Sequence, residues 1–108
     1  AVLGTVVLPL ATATDLEAVA FADGTETMAV LGLTGDGTPV VITDAERGRL
    51  AAGPAFDPVM EPIDLAVLGG HGPSGATIAA LGSQPPTEAG ITLWDPVTGQ
   101  PLGSLRVP

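Results

Sequence analysis

The chain has no cysteine and no lysine, and of aromatic residues only Trp94, Phe21 and Phe56. Without cysteine there are no disulfides and no thiolate metal ligands; the compartment is left open, with the cytoplasm favoured. Without lysine, positive charge is confined to Arg47, Arg49 and Arg106, against 12 acids and a formal net charge of -9. That balance argues against nucleic acid and anionic membrane as partners. The acids are scattered singly, as on a solvated surface rather than in an interaction tail. With so few aromatics, the apolar mass must come from Val, Leu, Ile and Ala, and a chain of 108 residues suits one small domain that hides roughly 60–70% of its unfolded surface. No apolar run approaches the ~20 residues of a membrane-spanning helix. The opening AVLGTVVLPLATA imitates a secretory apolar region, with Ala11-Thr12-Ala13 as a cleavage-like site, but has no basic segment and no initiator Met before it.

What the sequence does have is a repeat of about fifty residues. LGTVVLP (3–9) returns as LGSLRVP (102–108), with RLAAGPAFDP (49–58) near the midpoint between them. Asp15-Leu16 returns as Asp64-Leu65, TMAVLG (27–32) as TIAALG (77–82), and VITDAERG (41–48) as TLWDPVTG (92–99). Each unit holds four short apolar runs: 17–21, 27–33, 40–43 and 50–56, then 65–69, 77–82, 91–94 and 102–107. Runs this short, rich in Val and Ile and punctuated by Gly, Pro, Asp and Thr, predict antiparallel strands. Gly32, Gly53, Gly82 and Gly103 would each weaken a helix. The stretches 44–48 and 95–99 share an Asp at the start and a Gly four residues on. Asp can accept the turn's amides, Pro96 presets φ, and Gly takes the left-handed conformation that closes the loop.

Four-stranded units at this period are how β-propeller blades read in sequence. GITLWDPVTGQPLGSL resembles the last two strands of a WD-repeat blade, with Trp94-Asp95 as the signature dipeptide and Thr43-Asp44 in its place in the first unit. The resemblance implies a hydrogen-bond network of His, Ser or Thr, Trp and Asp. Ser83 and Trp94 match two of its places and Asp36 a third in the first unit, while no His precedes Glu17 or Leu65. The expected fold is therefore all-β: about two four-stranded antiparallel blades at 15–58 and 63–108, with 1–9 as the final strand of a preceding blade. Propellers need four to eight blades, and two would leave apolar faces bare, so the blades are expected to belong to a larger or oligomeric ring. The missing blades would come from the same chain, of which this is an excerpt, or from identical copies.

Catalytic, cofactor and metal sites are not expected. IDLAVLGGHGPSGAT has P-loop spacing from Gly70 to Gly75-Ala76-Thr77, but Ala76 stands where the phosphate-binding lysine belongs. His71, the lone histidine, reads as a loop residue; with Ser74, Ser83 or Ser104 it makes a triad only on paper. Asp44 and Glu46 read as solvated turn acids, TGDGT (34–38) has too few oxygens for a calcium loop, and Met28 and Met60 read as packing. Trp94 reads as core, with a sugar-stacking platform as its alternative. The expected function is a WD-repeat-like protein-protein interaction scaffold that binds a protein partner and is not an enzyme. The alternative is a lectin-like oligomeric propeller binding small ligands or sugars between blades.

Overall fold

Val, Ile and Thr crowd the pleated positions of this chain, and between them Gly, Pro and Asp break every run; the result is a pair of antiparallel meanders. The structure, a computed structural model, describes residues 5, 7–21, 24–44, 49–50, 55, 61–69, 76–84 and 88–107. The strands are β1 (Thr12–Ala20), β2 (Glu26–Leu33), β3 (Pro39–Asp44), the two-residue β4 (Arg49–Leu50), β5 (Glu61–Gly69), β6 (Ala76–Gln84), β7 (Glu88–Trp94) and β8 (Pro101–Val107). They form two sheets in simple sequence order, β1-β2-β3-β4 and β5-β6-β7-β8. Among the described residues no helix is long and apolar enough to cross a membrane.

Of the predicted apolar runs, 27–33, 40–43, 65–69, 77–82, 91–94 and 102–107 lie inside these strands, and 17–21 does so except for Phe21, which follows β1. β1 and β5 begin at Thr12 and Glu61, several residues before the runs at 17 and 65. Of the run 50–56, Leu50 is in β4 and Ala55 is outside any strand; the rest lies outside the described residues. Thr5 and Val7 to Leu10 are also outside the strands.

Register shows that the two sheets are the same object made twice. Leu16 pairs Val30 and Leu31 pairs Val41; at the matching places Leu65 pairs Ala80 and Leu81 pairs Ile91. Each first strand carries an irregularity at the same point, between Ala13 and Asp15 in β1 and between Pro62 and Asp64 in β5. Such bulges bend an edge strand and re-aim the side chain that follows. The ladder also corrects the alignment of the dipeptides by one residue. Ile42 pairs Val30 as Thr92 pairs Ala80, so Trp94 stands at the place of Asp44 and not of Thr43.

Turn chemistry closes the β7–β8 hairpin as the sequence predicts. Val97 and Thr98 donate N–H to Asp95 Oδ1 at 2.8 and 3.3 Å, Gly99 donates to the Asp95 carbonyl at 2.9 Å, and Gly99 takes φ 72°. Between β2 and β3 the Thr34 hydroxyl and the Thr38 amide donate to Asp36 Oδ1, and Gly37 takes φ 84°. These hydrogen bonds, that of the Thr34 hydroxyl first, hold the Asp36 carboxyl below its ordinary value. The counterpart turn at 45–48 lies outside the described residues.

The sheets pack on each other, and their shared core is Val19, Ala29, Leu31 and Val41 from the first against Leu65, Ala76, Ile78, Ala80 and Trp94 from the second, with Ala55 between strands. β3 is buried on both faces, as its unbroken apolar run requires: Val41 faces the second sheet, and Ile42 lies with Val30 beneath Leu8 and Leu10. Thr43 is fully buried and its hydroxyl has no hydrogen-bond partner among the described residues. An unsatisfied buried hydroxyl costs stability, whereas valine keeps its shape without the penalty. Thr43→Val is expected to stabilise the chain by about 1 kcal/mol, read as a higher urea midpoint at unchanged slope.

Candidate functional site

The two bulges bring together the most concentrated charge among the described residues. Asp15 follows the break in β1 and Asp64 the break in β5, and one carboxylate oxygen from each of Asp15, Glu17 and Asp64 lies within 4.8 Å of the others. Asp15 bridges the sheets: its Oδ1 accepts the Leu16 amide and its Oδ2 the Leu65 amide, each at 2.9 Å. Asp64 Oδ1 accepts the same Leu65 amide at 2.9 Å.

The chemistry of this cluster is that of a clamp. A hard cation such as calcium takes six to eight oxygens, and here both Asp15 oxygens and one Asp64 oxygen are already turned toward backbone N–H groups. What the arrangement supplies is two hydrogen bonds to one β5 amide at a sheet-to-sheet seam. Hydrogen bonds from the Asp64 carboxyl and then from the Leu65 amide hold the Asp15 carboxyl below its ordinary value of 3.8. A carboxyl whose pKa falls on folding stabilises the native state above its unfolded pKa, and that contribution is lost as pH drops through the folded value. Between pH 5 and 2 the urea midpoint of the native protein is therefore expected to fall faster than that of Asp15→Asn. Comparing the two removes the general effect of neutralising the other acids.

Only some of the residues singled out from sequence fall among the described residues. His71, Ser74, Glu46 and Met60 lie outside the described residues. Ala76 and Thr77 open strand β6, with Thr77 paired to Leu68, so no helix N-terminus follows the P-loop-like spacing to receive a phosphate. Asp44 accepts the Thr27 hydroxyl at 3.2 Å, and the 34–38 stretch turns its Asp36 inward on its own loop. Ser104 lies on the edge strand β8, paired with Thr92.

The network implied by the WD resemblance is not formed among the described residues. Trp94 pairs with Ile78, five positions along β6 from Ser83, a separation of about 17 Å at strand rise. The Trp94 indole N–H has no hydrogen-bond partner among the described residues. Trp94 itself is 1% exposed and packs in the layer between the sheets, which removes it as a sugar-stacking platform.

Sequence reasoning missed the clamp, although it used Asp15-Leu16 and Asp64-Leu65 as marks of the repeat. The available signal was an acid repeated immediately before the same apolar residue. Comparison with family models, with curated proteins and with solved structures finds no match, so register and packing carry the functional reading.

Proposed function

We propose that this chain is a segment of a WD-repeat-like β-propeller that acts as a protein-protein interaction scaffold and performs no catalysis of its own. One observation carries the reading: two equivalent four-stranded meanders are stacked front to back. Val19, Ala29, Leu31 and Val41 of the first sheet meet Leu65, Ile78, Ala80 and Trp94 of the second. In the repeat, the partners of Leu65, Ile78 and Ala80 are Leu16, Met28 and Val30, which occupy the other side of the first sheet. A sandwich that closed by two-fold symmetry would set like faces together. Front-to-back stacking instead continues from unit to unit, and in a propeller it closes into a ring. The likeness to WD repeats lies in the Trp94-Asp95 turn and the strand order, not in the polar network.

Fold alone does not set function. The scaffold reading is supported by what the structure spends its side chains on: the facing apolar sides of the two sheets pack on each other, while the turns at 34–38 and 95–100 are held by their own hydrogen bonds and present exposed positions. The test is capture of a protein partner by the immobilised chain, followed by bulky substitution in both turns, Gly35→Trp with Thr98→Trp. Loss of capture with unchanged circular dichroism is the expected result. Specific binding on a glycan array would replace this reading with the lectin-like one, and a hydrolytic activity abolished by His71→Ala would replace it with an enzyme.

A further inference from the structure

The stacking that joins the two sheets uses one face of each, and by the repeat each sheet also owns the face that the other has used. Leu65 is 1% exposed and its counterpart Leu16 57%; Ile78 is 0% and Met28 36%; Val19 is 0% and its counterpart Leu68 42%. The outer side of the second sheet thus carries Leu68, Ala79, Leu81 and Ile91 where the inner side of the first carries Val19, Ala29, Leu31 and Val41. These are near-identical apolar sets in identical register. The counterpart of the surface they would meet exists on the same molecule, as the outer side of the first sheet, which carries Leu16, Met28 and Val30 at the places of Leu65, Ile78 and Ala80, with Asp44 at that of Trp94.

The polar clamp repeats in the same sense. Within the chain Leu65 N–H has two acceptors, Asp64 of its own strand and Asp15 of the preceding unit. Leu16 N–H donates the first kind of bond, to Asp15 of its own strand. Asp64, opposite Leu81 as Asp15 is opposite Leu31, is the residue that would supply the second kind to a following unit.

We propose that copies of this chain dock head to tail, the outer face of the second sheet of one copy on the outer face of the first sheet of the next, with Asp64 accepting the next copy's Leu16 amide. This rests on the unit equivalence used above and names the partner of the open faces. The occupant is a second copy because the interface already formed inside the chain shows which kind of surface these residues fit, and the chain carries its repeat counterpart, apolar at Leu16, Met28 and Val30 though not at Asp44. Leu8 and Leu10, which lie over Val30 and Ile42, occupy a place in this layer like that of Ala55 in the internal one. A heterologous contact of this kind builds a ring or an open stack. The net charge of -9 on every copy opposes assembly, so added salt strengthens it.

Sedimentation equilibrium of the purified chain at about 100 µM, a range in which contacts of micromolar affinity assemble, tests the proposal. The native chain is expected to form oligomers, more so at higher salt. Leu68→Glu and Leu16→Glu each place an unpaired charge in the contact and are expected to weaken association more than about 30-fold; both positions are exposed, so the fold is kept by circular dichroism. Leu105→Glu and Met28→Glu repeat the test on the two faces should either first variant lose its fold. Mixed one to one, Leu68→Glu and Leu16→Glu are expected to recover a dimer and stop there, since each retains the face the other has lost. A monomeric native chain, variants that assemble like the native chain, or a mixture that stays monomeric would overturn head-to-tail docking. None of these outcomes touches the scaffold reading, which partner capture through the turns decides separately.

Discussion

Replacing Gly32 with alanine is expected to destabilise the chain by about 3 kcal/mol, the upper end for forcing an atom into a packed site. A Cβ at this position would stand 2.3 Å from the Thr12 carbonyl oxygen, 3.0 Å from Leu10 Cδ1 and 3.2 Å from Ala13 Cα. The nearest of these is backbone, so no rotamer change relieves the contact. The strand would have to move away, and Thr12 pairs Leu33 while Ala13 pairs Gly32 across that line. Relief would therefore open the start of the β1–β2 ladder and lift Leu10 from Val30 and Ile42. Against a total of about 5–15 kcal/mol for a domain, such a loss lowers the melting temperature by more than about 10 °C. Gly35→Ala is the control: nothing lies within 4 Å of its Cβ, and a change within about 0.5 kcal/mol is expected. Urea unfolding of the three proteins checks the pair. Equal midpoints for Gly32→Ala and Gly35→Ala would mean that β1 does not approach β2 as described.

Strand interiors and turns were legible because their causes are local. Val30, Leu31, Val40, Val41 and Ile42 announce strands by branching and apolarity, and Asp95 with Pro96 and Gly99 announces a turn because the bonds it makes lie within five residues. The starts of β1 and β5 were not legible. Thr12 to Asp15 and Glu61 to Asp64 are polar or contain Pro62, and each crosses a bulge that interrupts the alternation of a strand. Both are edge strands, where Pro is tolerated and polar side chains face water. The one-residue shift between Thr43 and Asp44 at the place of Trp94 has a related cause. Letters align on the turn aspartates Asp44 and Asp95, whereas the ladder counts from β2 and β6. The repeated Asp-Leu pair marked the clamp's position in the sequence but not its contact, because Asp15 meets Leu65 only once two sheets fifty residues apart have docked.

Trp94 carries the other large effect, and it tests the stacking itself. Its ring is buried among Ile78, Ala80 and Leu65 on the side of the second sheet that meets Val19, Ala29 and Leu31. Trp94→Ala is expected to cost about 3–5 kcal/mol, through lost burial and the cavity left behind. Trp94→Phe is expected to cost only about 1 kcal/mol, because the indole N–H makes no hydrogen bond among the described residues and its removal orphans nothing. The contrast separates packing from polar anchoring: were the indole held by a hydrogen bond, phenylalanine would fare nearly as badly as alanine. Being the sole tryptophan, the residue also reports on the seam directly. Its emission is expected to be blue-shifted in the native chain and to move red in the same urea transition that removes the β circular dichroism signal, as a single cooperative unit requires. An emission shift that preceded the loss of strand signal would show that the sheets part before they unfold. The front-to-back contact would then be a weak docking of two self-sufficient units rather than the core that holds both.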